Sequence, residues 1–317
     1  MFKIMNNSRG DNLKINEVRK RNFIGSYDAI PSPIDKRDYV VTFIPTDQVQ
    51  LPNEYTTPNL TQVLNQGTVG SCVAHATDSM FEYLSQLHNK KYQKFSPGFI
   101  YAHKSNKNES GMVPRDALKF VCSEGNVFQD DFPYNYEVPN IFTQYEKSGG
   151  DSKLLLLANQ HKEALTYFQL KTQQDIKADI YKYGYCIACI PIHEDTQVTY
   201  EFIDQDPKTL ECKDYNAIFE EGTMNIIGYH MICLVGWSNK HNAYLMQNSW
   251  GNWAKSGFAF LPYDFTIEEA WGCSGYTEVQ HEDVPTPNPI IHKKSDNLIV
   301  QFIWKVINFF INLFAKH

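Results

Sequence analysis

Within the stretch Asn65-Gln-Gly-Thr-Val-Gly-Ser-Cys-Val-Ala-His-Ala76 a thiol, Cys72, follows the flexible Gly70 and the small Ser71 and opens a run with helical periodicity. A thiol at a helix N-terminus faces the positive end of the macrodipole and unbonded backbone N–H groups, both of which favour thiolate over thiol. The same N–H groups can bind a developing oxyanion, with the side-chain amide of Gln66 as a second donor. The competing reading is a small buried apolar residue, the commoner fate of a free cysteine. A nucleophilic thiol needs a base, and the base needs an orienting group. Two later blocks offer them: Gly228-Tyr-His-Met-Ile-Cys-Leu-Val-Gly-Trp237 and Gln247-Asn-Ser-Trp-Gly-Asn-Trp253. If His230 and Asn248 lie on neighbouring antiparallel strands, the Asn248 side-chain oxygen can accept a ring N–H and fix the tautomer. Trp250 could then cover that hydrogen bond. Each block alone is weak, because His and Asn occur at many strand ends.

The elements that must carry these groups follow from periodicity. Val73, Ala76, Met80, Phe81, Leu84 and Leu87 recur at helical spacing, so 71–88 reads as a buried helix. Further helices are expected at 97–106, 114–124 and 173–183. Short apolar runs bounded by Gly, Asn or Lys predict strands at Tyr185–Ile192, His230–Trp237 and Ala243–Gln247. Helices precede strands, which indicates an α+β fold with segregated halves. No internal repeat is present.

Taken together and in this order, the motifs resemble the papain-like (cathepsin-type) cysteine peptidases. The resemblance rests on Gln66-Gly67, Gly70-Ser71-Cys72 and Ala74, on His230 with Val235-Gly236, and on Asn248-Ser249-Trp250-Gly251 with Gly257-Phe258. His230 lies 158 and Asn248 lies 176 residues after Cys72, beyond the ~130–150 usual in the family, which implies insertions between the lobes. By the resemblance Cys72 is the nucleophile, His230 the general base and acid, and Asn248 the orienting residue. Gln66 and the Cys72 backbone N–H form the oxyanion hole, with Gly70, Ser71 and Trp250 in support. The implied fold has a helical lobe with Cys72 and a barrel-like antiparallel lobe with His230, enclosing a cleft for an extended peptide. The resemblance covers 51–281 and begins at Leu51-Pro52. Residues 1–50 read as a prosegment, the chain's own N-terminal segment lying in the cleft, with the extended Pro31–Tyr39 run against the groove; a folded arm that is never cleaved is the alternative.

Some positions depart from the family pattern. Val73 stands where Trp is usual, His75 where Phe is usual, and Val69 where a disulfide cysteine is common. Asn252-Trp253 is one residue shorter than the usual connection. His75 reads as a satisfied core or rim histidine rather than the base. Gly111 is a loose match to the glycine that lets family members pair with substrate backbone, and a loop glycine fits equally well. Cys186-Ile-Ala-Cys189 is a CxxC, but strand geometry would point its thiols to opposite faces, which argues against zinc or redox chemistry. No metal or other cofactor is expected. Cys233 and Cys273 read as core cysteines.

Charge and composition exclude other classes. With 42% hydrophobic and 21% charged residues, the chain is not a disordered or collagen-like polymer. The net charge of −7 is uneven: +2 over 1–50, −10 over 51–281 and +1 over 282–317. So acidic a body repels phosphates and makes a poor nucleic-acid partner. Seven cysteines leave at least one unpaired. The N-terminus lacks the apolar run of a signal peptide, so secretion by that route is not expected and an intracellular or virion setting is. Residues 282–296 form a Pro-rich linker and 297–317 an amphipathic apolar tail. Within 298–315 the polar positions Gln301, Lys305, Asn308 and Asn312 fall in one helical stripe. That pattern suits docking on the body or a partner chain as well as a membrane-interface helix.

The function expected is a cysteine-type endopeptidase acting on extended peptide or protein substrates and made as a zymogen. The alternatives are a related Cys-His amide hydrolase acting on cell-wall or isopeptide bonds, and an inert scaffold that binds without catalysis. Paired histidines in a long insertion, which would close one end of the cleft, are absent, so exopeptidase activity is not indicated.

Overall fold

Helix α1 (Cys72–Asn89) is buried at every residue from Cys72 to Ser85, polar positions included. It contains no Gly or Pro, and it stops where Lys90 turns left-handed at φ 56°. It is covered on all sides because helices α2 (Pro97–Ala102) and α3 (Pro114–Glu124) pack against it from one direction and strand β7 (Ile226–Ser238) from another. Both short helices carry proline in their first turn, where the missing N–H costs nothing. The Ser96 hydroxyl caps α2 by accepting the Phe99 N–H at 3.1 Å. The computed structural model describes residues 18–22, 26–41, 51–107, 109–134, 150–163, 165–205, 212–275 and 279. The linker 282–296 and the tail 297–317 lie outside them, as does the start of the N-terminal segment. No helix among the described residues is long and apolar enough to cross a membrane.

Two more helices, α4 (Gly150–Gln160) and α5 (Gln173–Tyr183), flank the sheet strands that follow. Thr172 and Asp175 form a reciprocal capping box at the start of α5. The strands are β1 (Val18–Asn22), β2 (Glu54–Thr56), β3 (Thr166–Leu170), β4 (Cys186–His193), β5 (Gln197–Gln205), β6 (Cys212–Glu220), β7, β8 (Ala243–Gln247), β9 (Phe258–Pro262) and β10 (Glu269–Ser274). Among the described residues they form one sheet in the order β1-β5-β6-β9-β8-β7-β4-β10-β3, with β2 paired to β7. Every pairing is antiparallel except β6 with β9.

Strands β4 and β7 divide the interior. Alternate side chains point to opposite faces, so Ile187, Cys189, Met231, Cys233 and Val235 join a core built with α1, α2 and α3. Cys186, Ala188, Ile190, Ile232 and Leu234 join a second core with α5, β8 and β9. Helical material on one side and antiparallel strands on the other give the α+β, two-lobed arrangement expected. The two CxxC thiols accordingly sit in different cores. Two boundaries differ from expectation: α2 ends at Ala102 rather than 106, and β7 begins four residues before His230.

Asp78 and Glu82, one turn apart on α1, are both fully buried. Asn126 Nδ2 donates to Asp78 Oδ1 at 2.7 Å; the Phe95 N–H and the Tyr92 hydroxyl donate to Glu82 at 2.8 and 2.9 Å. Burial pushes both carboxyls up, aided at Asp78 by repulsion from Glu82, and Glu82 reaches about 7. A carboxyl that keeps its proton when folded and loses it when unfolded favours folding at low pH. That advantage is complete below the unfolded value near 4.5 and fades as pH rises through about 7. Urea unfolding at pH 5 and pH 7.5 should therefore show a midpoint that falls with pH in the native chain, and a smaller fall in Glu82→Gln. Equal falls in both would place the titration elsewhere.

Candidate active site

Cys72 is the first residue of α1 and has no exposed surface. Its N-cap, Ser71, does not cap the helix through its side chain. The hydroxyl instead meets Tyr134 Oη at 2.9 Å and His75 Nδ1 at 3.2 Å, so the backbone N–H groups of the first turn remain uncapped by Ser71. The backbone N–H groups of Asp28, Met231 and Val73 all point at the sulfur and favour its anionic form. Burial outweighs them and pushes the thiol up. This runs against the expectation that the helix terminus would favour thiolate: burial acts in the opposite direction and dominates.

The base candidate sits on the facing strand. His230 is fully buried on β7 next to Met231, and its Nε2 lies 2.8 Å from Asn248 Oδ1. Asn248 directly follows β8, the antiparallel neighbour of β7, as the alternation of short strands predicted. The Ser249 N–H donates to the same Asn248 oxygen at 2.7 Å, which fixes the amide so that His230 Nε2 must be the donor. Nδ1 is then the ring's lone-pair nitrogen, and it has no hydrogen-bond partner among the described residues. Trp250 stacks on the imidazole at 4.4 Å and 20°. Burial lowers the imidazole to about 4 despite the opposing Asn248 bond.

A stretch of the N-terminal segment crosses directly over them. The Ser26 carbonyl accepts from Gln66 Nε2 at 3.2 Å and from Trp250 Nε1 at 3.1 Å. The Ala29 N–H donates to the Tyr229 carbonyl at 2.9 Å. Met112 brackets Ala29, donating to the Asp28 carbonyl at 3.3 Å and accepting from Ile30 at 3.1 Å, in a parallel bridge. The Asp28 carboxylate accepts from Ser110 Oγ at 2.6 Å. Farther on, Tyr39 and Val41 pair with Gln169 of β3.

Of the expected residues, His230 contacts Asn248 and Trp250, Gln66 joins them through Ser249, and Cys72 meets β7 at Met231, with one adjustment at Gly111. Gln66 is held by Ser249 Oγ, which donates to its Oε1 at 2.6 Å and leaves the amide N–H aimed at the crossing chain. Gly70 matters because a Cβ there would overlap the Asp28 carboxylate and the Ser110 hydroxyl. The backbone pairing expected of Gly111 is made by Met112. Gly111, at φ 81°, instead gives room: a Cβ would overlap the Asp28 carbonyl oxygen. His75 is turned away from the thiol, bonded to the Ser71 carbonyl at 2.9 Å and edge-on to Tyr134. Met112, Tyr229, Ser249 and Tyr134 were not anticipated. The first two act through the main chain and carry no side-chain signal, whereas Ser249 sits inside the Asn-Ser-Trp run and could have been found there. Among the described residues no group of three or more His, Cys, Asp or Glu side chains could hold a metal ion.

Comparison with known proteins agrees with this geometry. The profile described as papain family cysteine protease matches residues 51–268. An uncharacterized peptidase C1-like protein of Acanthamoeba polyphaga mimivirus is 26% identical over 269 residues, 76% of this chain and 82% of the relative. In fold the chain is similar to xylellain, a cysteine protease from Xylella fastidiosa, with TM-score 0.59 and 22% identity over 83% of this chain and 99% of the other. It is similar as well to procathepsin B S9 from Trypanosoma congolense, with TM-score 0.59 and 16% identity over 80% and 87% of the two chains. With a thiol at a helix tip, an imidazole on the facing strand and a family match over most of its length, the chain belongs to the papain family of cysteine peptidases.

Proposed function

We propose that the chain is an endopeptidase made as a zymogen, with Cys72 as nucleophile, His230 as base and acid, Asn248 as orienting residue, and Gln66 with the Cys72 N–H as oxyanion hole. The observation that carries this reading is the backbone of Ser26–Ile30. It is an extended peptide held over the thiol almost wholly through main-chain groups, and such recognition suits any peptide sequence. In the proposed reaction the Cys72 proton passes to His230 Nδ1, whose lone pair the Asn248 contact keeps free. The sulfur attacks the carbonyl carbon, and the oxyanion is held by Gln66 Nε2 and the helix N–H. The tetrahedral species collapses as the imidazolium gives its proton to the departing amine, leaving an acyl-enzyme. Water, deprotonated by the same imidazole, releases the acid and restores the thiol.

The covering segment accounts for a zymogen. It excludes substrate, and its removal would restore solvent to the thiol and lift the burial that holds it protonated. In this reading residues 1–50 are the prosegment and 51–281 the catalytic domain. A family likeness to procathepsins supports an N-terminal propeptide.

Full-length protein made in bacteria should trim itself between about Asp38 and Tyr55, seen by intact mass, while Cys72→Ala stays full length; equal trimming of both would sink self-processing. Before trimming, iodoacetamide should modify Cys72 more slowly than it does in the urea-unfolded chain, as read by peptide mass spectrometry. After trimming, Gln66→Ala should lower kcat on fluorogenic dipeptides about 10²-fold or more, with KM little changed. Asn248→Ala should cost roughly 10–100-fold.

A further inference from the structure

The crossing segment is anchored downstream of the thiol by one cation. Arg115, the second residue of α3, donates its backbone N–H to Ser32 Oγ at 3.2 Å. Its Nη2 donates to the Pro33 carbonyl and, at 2.7 Å, to Asp38 Oδ2. The two side chains are 15% and 8% exposed, so the ion pair is largely desolvated. The guanidinium lies 5.8 Å from the Trp271 ring centroid, and Tyr167 packs on the same indole at 5.9 Å. Arg115 Nε is buried and has no partner among the described residues. Neither neighbouring acid is ion-paired with it: Glu269 accepts from the Trp271 indole N–H at 2.7 Å and from the Ser32 N–H at 2.8 Å, and Asp116 accepts from Ser105 Oγ at 2.6 Å.

The counter-ion of Arg115 thus comes from the segment itself. Once the segment leaves, a poorly hydrated guanidinium remains in the cleft wall, with an unused Nε–H beside the vacated Nη2–H. An unpaired charge in such a place is costly, and a carboxylate that could engage both donors would relieve it. Ser32 lies four residues past Asp28, the residue over the sulfur. An extended substrate covers that distance in roughly three to four residues.

We propose that Arg115, beside the Trp271 ring, is a specificity subsite that takes an acidic side chain, so that peptides with Asp or Glu about three to four residues from the bond cut are preferred. Asp38 occupies this subsite in the untrimmed chain. The proposal rests on the endopeptidase reading and narrows its substrate class.

The test uses the full chain, allowed to trim itself, and quenched fluorescent peptides with Glu, Gln or Lys scanned through positions on both sides of the cleaved bond. At one position the Glu peptide should be cut at least about tenfold better than its Gln isostere. That ratio should collapse to about one in Arg115→Met and shift toward the Lys peptide in Arg115→Glu. Cleavage without a Glu preference at any position overturns the subsite and leaves the peptidase reading standing. If no peptide is cut, the peptidase reading fails. Anisotropy of the labelled peptides on the native chain, cut ahead of Leu51 by an added protease and alkylated at Cys72, then decides the subsite: tighter Glu binding supports it and equal binding overturns it. Should these Arg115 variants fail to fold, Arg115→Lys, assayed after trimming, should show a smaller Glu-over-Gln ratio than the native chain, and an equal ratio would count against the proposal.

Discussion

The seam between α1 and β7 is the constraint on which the rest depends. It brings the sulfur of residue 72 to the backbone N–H of Met231, the residue next to His230, with 158 residues of chain between Cys72 and His230. It does so with fully buried contacts: Cys233 Sγ donates to the Ala76 carbonyl at 3.4 Å, and Met231, Cys233 and Val235 face the helix. Each large apolar side chain buried there contributes about 1.5–3 kcal/mol. The opposite face of β7 is packed into a separate core, and β4 and β8 pair with its two edges. A strand held on four sides cannot slide, because a shift of one residue would exchange the two cores. The imidazole is therefore presented in one place.

The same local features explain why the covered site is quiet. The thiol is up-shifted chiefly by burial, and the Asp28 carboxylate adds a repulsive contribution to any charge on the sulfur. The imidazole is pushed the other way, to about 4, by its own burial. Burial is the leading cause of both shifts, and the strap from Ser26 to Ile30 is one of the elements that cover the site. The grip on that strap is mostly main chain: Met112, Tyr229 and the two side-chain N–H groups of Gln66 and Trp250 contact backbone atoms. Side chains of the strap are engaged at Asp28, whose carboxylate accepts from Ser110 Oγ, and at Asp38 with Arg115, while the Ser32 N–H donates to Glu269.

The nucleophile, its helix, the imidazole, the amide and the indole were all legible in the sequence, since each announces itself by type and by immediate neighbours. Gln66, Cys72, His230, Asn248 and Trp250 sit in short runs whose glycines and strand boundaries leave little freedom. Strands β5 and β6 were not read: the alternation of Gln197–Phe202 did announce β5 and was overlooked, whereas CKDYNAIFE alternates polar and apolar residues too irregularly to separate β6 from loop. Met112 and Tyr229 could not be recognised from residue type, since any residue supplies the N–H or C=O they use. Arg115 was hidden for another reason. Its partner Asp38 is 77 residues away, and only the folded chain brings them together. The direction of the Cys72 shift was missed because burial is a property of the covered site, and the sequence around the thiol speaks only of the helix dipole.

The strap is stitched to the sheet at both ends. β1 extends the β5 edge through five paired positions, and Tyr39 and Val41 bond to β3 at the far side of the same sheet. Severing the chain once within the crossing would therefore create two stubs, each still tied down by strand pairing and each at high local concentration relative to its own docking place. Scission and departure become separate events with separate clocks. The first is set by bond chemistry, the second by how readily a short edge strand peels away. Were the segment cut there, a nicked but undissociated particle would precede the open cleft, and rivals for the cleft would meet a door unlocked but still shut.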